Sequence, residues 1–320
     1  MFIFVYFTFI VLLTRIECFP LWGLDIDSAY EISDFLTAAG HPLDLPQIHT
    51  KLRIKNINGT IYKDTFSKLG KIESLEIASN HINQIEAGAI CLSPTLRQFQ
   101  IDFTGNDNNL SFHKNIFDNC EHLEELALIF NYELKPELDV DFFEYVSNLK
   151  TLVLRNFKIE HLTKAFITNL KFVSSLTLFN TQMKQIDGNV FEHLNNLEKL
   201  SLNLHMLTTL PKDLFKSTPK LTTLILANGN LTGLNWGEFD GLTSLKSLVL
   251  TQNHITSFDA DKIATYMPEL EALAVELNPL ECKKLESFAE ELTKKFEHPI
   301  QVTYKFDPGF YDECKAGIEI

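Results

Sequence analysis

Along the middle of the chain, apolar residues return on a fixed beat. Leu176, Leu200, Leu224 and Leu248 lie 24 residues apart, and each leads a pair: Leu176/Leu178, Leu200/Leu202, Leu224/Leu226 and Leu248/Leu250. Ahead of each pair the apolar positions come three apart, as in Phe191, Leu194, Leu197 and Leu200, and again in Phe239, Leu242, Leu245 and Leu248. A two-residue alternation is the period of a strand with one buried face, whereas a helix repeats at three and four. The beat extends outward to Leu75/Ile77, Phe99/Ile101, Leu126/Leu128, Leu152/Leu154 and Leu273/Val275, with Leu52/Ile54 one residue short. Spacing widens to 27 between Phe99 and Leu126 and to 26 between Leu126 and Leu152. The surplus predicts loops over Asp102–Asn109 and between Tyr132 and Asp141.

A unit of this size cannot bury its own apolar edge, so neighbouring units must stack, and the open ends of the stack need covers. Each unit is predicted to give one short parallel strand with its paired leucines inside. The pattern L-x-x-L-x-L-x-x-N-x-L resembles the extracellular leucine-rich repeat family from about Leu52 to Leu280. The resemblance implies an α/β fold, a right-handed horseshoe solenoid with a concave parallel sheet and about ten repeats. The chain then divides into a signal peptide (1–18), an N-terminal segment or cap (19–50), the repeats (51–280) and a C-terminal cap (281–320). The asparagine that normally follows Leu-x-Leu is present as Asn80, Asn131, Asn253 and Asn278, but Phe157, Thr181, His205 and Gly229 stand in its place in the middle. Backbone groups there need another partner.

Residues Met1 to Leu13 are almost unbroken apolar, and Arg15 and Glu17 end the run. Thirteen residues make only ~20 Å of helix, too short for a ~30 Å hydrocarbon core and suited to a secretory signal. Cleavage is expected after Cys18; Thr37-Ala38-Ala39 offers a second small-residue site that would mark a pro-segment boundary. Ser28-Ala29-Tyr30-Glu31 reads as a capping box opening a short helix toward Gly40, which either covers the first coil or leaves with a pro-segment. No later stretch is long and apolar enough to span a membrane. A secreted, extracellular chain gives weight to the sequons at Asn58, Asn109 and Asn230.

Five cysteines are present, and removing Cys18 leaves four. Aligning the repeats puts Ile90 and Phe117 in one slot, so Cys91 and Cys120 fall on adjacent turns two positions apart. Turns ~5 Å apart make the bridge Cys91–Cys120 feasible, the alternative being two buried free thiols. At the other end Asn278-Pro279-Leu280-Glu281-Cys282, an amphipathic stretch (Leu285, Phe288, Leu292, Phe296) and Cys314 resemble a reduced cysteine-flanked cap of the family. That resemblance implies the bridge Cys282–Cys314.

Charge narrows the partners. With 28 basic and 42 acidic residues, a formal charge of −14 and no basic run, the chain is poorly suited to nucleic acid or anionic membranes. It holds no G-x-S-x-G, H-E-x-x-H, phosphate loop or C-x-x-C. Its ten histidines are scattered, so no metal or cofactor is expected. Asp25-x-Asp27 and Asp139-x-Asp141 could grip calcium weakly, but read first as solvated surface.

What remains is surface. Between and just after each Leu-x-Leu pair, residues are expected to face the concave side: Gln100, Asp102 and Phe103 on one turn, Ala127, Ile129 and Phe130 on the next. On the same reasoning Phe103, Ile129, Phe130, Val153 and Phe179 cluster beside Arg155, with Leu204 further along, as a partner-binding site. The competing reading is that such residues simply suit parallel strands, or that the 103–112 loop folds over them. Length, signal, five cysteines and thin caps together resemble the non-catalytic leucine-rich-repeat subunits of secreted luciferases. This implies a small catalytic luciferase subunit as partner, another secreted protein, while this chain does no chemistry. An extracellular recognition or adhesion receptor of invertebrate innate immunity is the alternative.

Overall fold

The computed structural model describes residues 50–55, 57–67, 69–78, 81–104, 113–132, 136–280 and 282–304, together with two short strands at 30–32 and 36–37. Among the described residues seventeen strands follow one another in chain order. They are β1 (Tyr30–Ile32), β2 (Leu36–Thr37), β3 (Lys51–Lys55), β4 (Asn58–Ile61), β5 (Ser74–Ala78), β6 (His81–Ile85), β7 (Gln98–Phe103), β8 (Glu125–Phe130) and β9 (Thr151–Arg155). Then come β10 (His161–Leu162), β11 (Ser175–Phe179), β12 (Gln185–Ile186), β13 (Lys199–Asn203), β14 (Thr223–Ile225), β15 (Ser247–Val249), β16 (Ala272–Ala274) and β17 (Gln301–Thr303). Helices are few and short: α1 (Lys164–Ile167), α2 (Ala260–Tyr266) and α3 (Cys282–Thr293).

Twelve strands form one parallel sheet, ordered β1-β3-β5-β7-β8-β9-β11-β13-β14-β15-β16-β17. Its register is the leucine beat itself: Leu52, Leu75, Phe99, Leu126, Leu152, Leu176, Leu200, Leu224, Leu248 and Leu273 stand in one file. The parallel ladder reaches past 51–280 at both ends, because Tyr30 pairs with Leu52 and Ala274 with Thr303. The short helix expected after Ser28 is therefore corrected: Tyr30 and Ile32 hold the alternating slots of another strand. The loop expected from Asp102 likewise begins later, since β7 carries strand geometry to Phe103.

The core is a continuous apolar file inside the coils, with Phe117, Phe142, Phe191, Phe215 and Phe239 fully buried beneath the paired leucines. Cys91 and Cys120 are joined, with their Cα atoms 5.2 Å apart. In α3, Leu285, Phe288 and Leu292 lie on one face and enter the same core, and Phe288 meets Phe258 at 5.4 Å between ring centres. Cys314, the partner expected for Cys282, lies outside the described residues, as do the signal segment and the sequon at Asn109.

Three of the four missing asparagines, at 157, 181 and 229, are made good by an asparagine one position earlier. Asn156, Asn180, Leu204, Asn228, Gln252 and Leu277 all adopt left-handed backbone, with φ between 52° and 61°. The kink turns the chain out of each strand while its N–H still bonds the next coil, as Asn156 N–H to Phe179 O and Asn228 N–H to Thr251 O. Three of these residues add amide bonds between coils: Asn156 Nδ2 donates to Phe130 O at 2.6 Å, Asn180 Nδ2 to Asn156 Oδ1 at 2.8 Å, and Asn228 Nδ2 to Asn203 Oδ1 at 2.9 Å. Asn253 and Asn278 occupy the usual slot. Their Nδ2 atoms donate to Leu226 O and Leu250 O, and their Oδ1 atoms accept from Leu231 N–H and Ile255 N–H.

Candidate functional site

Strand alternation sorts the expected site residues into two groups. β7 and β8 run six residues, so alternation continues past the leucine pair and carries Phe103 and Phe130 to the core side. Their ring centres are 4.5 Å apart, and Phe130 meets Phe157 at 5.0 Å. Both are 2% exposed or less, which corrects their placement on the concave side. Ile129, Val153 and Arg155 do lie on the face away from the core, in register with Asp102, Ala127 and Phe179 respectively. They are nonetheless 3%, 4% and 9% exposed, because side chains on parallel strands ~4.8 Å apart shield one another. The expectation of a contiguous exposed apolar patch is corrected accordingly. Of the seven residues, Phe179 and Leu204 are the half-exposed ones.

Arg155 and Phe179 form the centre of what is left. The guanidinium carbon sits 4.4 Å from the centre of the Phe179 ring, a cation–π stack between adjacent strands. Burial lowers the Arg155 pKa to about 10, and Asp102 opposes that shift, so the group stays charged at neutral pH. Beside the pair, the hydroxyls of Thr177 and Ser201, which are in register on β11 and β13, are buried without a hydrogen bond. Parallel-sheet backbone groups are already paired, so hydroxyls rising from the sheet find no acceptor there. Farther along the same face, Ile225, Ala227, Val249 and Ala274 form a second apolar cluster separate from the main core.

The rim where the strands end holds residues that the sequence reading did not pick out. Met206 is 43% and Leu277 44% exposed, and Glu276 precedes Leu277. Glu276 is desolvated, which raises its pKa, and Thr251 Oγ1 donates to it at 2.9 Å. Extending the repeat alignment one coil past Thr251 and Gln252 would have found this pair. Inside the same rim His205 is 3% exposed; its Nδ1 accepts from Leu207 N–H at 3.2 Å, and its Nε2 lacks a hydrogen bond of good geometry. The ring fills the notch left by Gly229, where a Cβ would lie 2.0 Å from Cε1. Burial lowers the His205 pKa to about 4, only partly offset by the Leu226 carbonyl.

Among the described residues no group of three or more His, Cys, Asp or Glu side chains is placed to hold a metal, and no helix is long and apolar enough to cross a membrane. Asp141 is engaged by Lys114, which also bonds Glu144 at 2.7 Å, so this half of the carboxylate pair serves a coil-to-coil ion pair. Asp25 and Asp27 lie outside the described residues. Asn58 opens β4, and Asn230 is half-buried on the strand-end rim.

Two family models match the chain: a leucine rich repeat over residues 195–255 and 219–280, and a BspA type leucine rich repeat region over residues 48–173. No curated protein matches. Among solved structures, a chain of the glycosylated Toll–Spatzle complex of Drosophila, described as a molecular hub in development and innate immunity, is similar with a TM-score of 0.57 and 20% identity. The match covers 82% of this chain and 37% of the other, so the chain spans well under half the length of its structural neighbour.

Proposed function

We propose that this chain, a member of the leucine-rich repeat family, is a non-enzymatic secreted scaffold that binds and stabilises another protein through the concave face and rim of its parallel sheet. The observation that carries this reading is Phe179, half-exposed on the sheet face away from the core with Arg155 stacked on it at 4.4 Å. Aromatic and arginine side chains dominate binding energy at protein interfaces, because desolvating them is favourable and their geometry is fixed beforehand. The reading includes removal of residues 1–18, right-handed winding of about ten coils, closure by Cys282–Cys314, and glycans on Asn58, Asn109 and Asn230.

The finer assignment rests on resemblance: a non-catalytic subunit like that of the secreted luciferase of the shrimp Oplophorus, with a small catalytic partner that oxidises an imidazopyrazinone luciferin. A recognition receptor of invertebrate innate immunity is the second reading, favoured by the likeness to a chain of the Toll–Spatzle complex. Purification from the native source separates them. A small stoichiometric partner that emits light with the luciferin supports the first, and a microbial or cell-surface ligand supports the second. In either case Phe179→Asp is expected to weaken partner binding at least tenfold while thermal stability holds; undiminished binding would reject the site.

A further inference from the structure

The left-handed residue that ends each strand is Asn or Gln in four coils but Leu204 and Leu277 in two. Asparagine tolerates this backbone because its short polar side chain bonds locally, whereas leucine is strained there. Neither leucine belongs to the apolar core inside the coils. Leu204 is half-exposed, Leu277 is 44% exposed, and the chain places Asn at the same slot three times. Strain that a sequence retains against an available alternative marks a functional position.

Position agrees with strain. Leu204 is accompanied by Met206, 43% exposed in the same coil, and Leu277 stands three coils on, ~14 Å away at the usual strand spacing. The residues between them, Asn228 and Gln252, are polar amides. At the far end Glu276 is desolvated, and it accepts from the hydroxyls of Thr251 and Thr303 and from its own backbone N–H, with no cation paired to it among the described residues. A half-buried carboxylate without a cation is held at a cost that an incoming basic group would relieve.

We propose that the rim line Leu204, Met206 and Leu277, closed by Glu276, is the anchoring edge for a basic protein partner. That partner would lay an apolar ridge of helix along the rim and set a lysine or arginine on Glu276. The chain's charge of −14 steers such a partner toward it. This inference rests on the partner-binding reading above and names the partner's chemistry.

The probe is a fluorescein-labelled, fourteen-residue amphipathic helix of leucine and lysine, with its leucine–glutamate counterpart as control, titrated against the full chain by fluorescence anisotropy. The lysine peptide is expected to bind and the glutamate peptide to fail. Leu204→Asn combined with Leu277→Asn should raise the melting temperature, by relieving strain, and weaken binding at least tenfold. Glu276→Gln should weaken it about threefold, and Phe172→Asp, whose ring is 53% exposed away from the strand ends, should leave it unchanged. Unchanged binding in the double leucine variant overturns the rim assignment, as does equal binding of the two peptides. If Phe179→Asp weakens native-partner binding while the rim variants do not, the rim fails and the broader reading stands. If neither variant matters, both fail.

Discussion

Between Gln98 and Arg155 the coils are 26 or 27 residues long and six-residue strands drive Phe103 and Phe130 inward, where their rings meet tilted at 34°, while the rings beneath them meet edge to face. Phe99, Phe117, Phe142 and Phe143 run through this part at interplanar angles of 74° to 90°. Between Ser175 and Ala274 the coils keep to 24 or 25 residues, and Phe191, Phe215 and Phe239 stack at 6.2 Å with angles of 9° and 29°. The longer coils thus take up their surplus by widening the core with aromatic rings and by a disulfide across adjacent turns. The regular coils carry a single stacked file of rings and no disulfide among the described residues, and the last two satisfy their turns with Asn253 and Asn278. The proposed site falls where the two regimes meet: Arg155 ends the last long coil and Phe179 ends the first regular one.

The largest predicted effect tests the inward turn of the long strands. Phe130→Asp would bury a carboxylate in the aromatic core at a cost of about 5 kcal/mol, enough to abolish a cooperative melting transition. Next comes the clamp. Cys91→Ser with Cys120→Ser should cost about 3 kcal/mol for a loop of this length. Limited proteolysis should then cut the coils before Arg155 first and leave the regular half intact; uniform digestion would show that the two regimes melt together.

The third prediction concerns the regular half alone. The folded pKa of His205 is about 4, below the ~6.5 of an unfolded histidine, so as pH falls the unfolded chain takes up the proton first. Stability contributed by this site is full above pH ~6.5, declines to about pH 4 and levels off below, a loss of at most about 3 kcal/mol. Denaturant midpoints measured across that range should slope in the wild type and flatten in His205→Asn. The smallest effect belongs to the junction: Phe179→Asp should change stability by less than about 1 kcal/mol, because its ring is half-exposed. Comparing it with Phe130→Asp, two phenylalanines on opposite faces of one sheet, measures how completely alternation governs the fold.

The leucine beat was sufficient to read parallel coils, inward pairs and the adjacency of Cys91 and Cys120, because each follows from position within a 24-residue repeat. Strand length was not legible. The residues that follow β7 and β8, Thr104 and Asn131, lack the left-handed backbone that turns later strands out, so alternation runs on to Phe103 and Phe130 and carries them to the core face. Nor could the sequence show that Asn156, Asn180 and Asn228 stand in for asparagines one position later, since their role depends on the φ each adopts. The extra strand at Tyr30 was hidden by a capping pattern that competes with strand alternation over three residues. Glu276 and Leu277 were legible in principle and needed the alignment carried one coil further.

The central claim is that a protein partner occupies the concave face and rim of this sheet. Hydrogen–deuterium exchange on the full chain, with and without the partner that co-purifies from its native source, tests it most directly. The account predicts added protection in peptides covering Ser175–Gln182, Lys199–Met206 and Ala272–Asn278, and none in α1 (Lys164–Ile167) on the far side of the coils. Protection confined to α1 and its neighbours, with exchange at the strand ends unaltered, would contradict it.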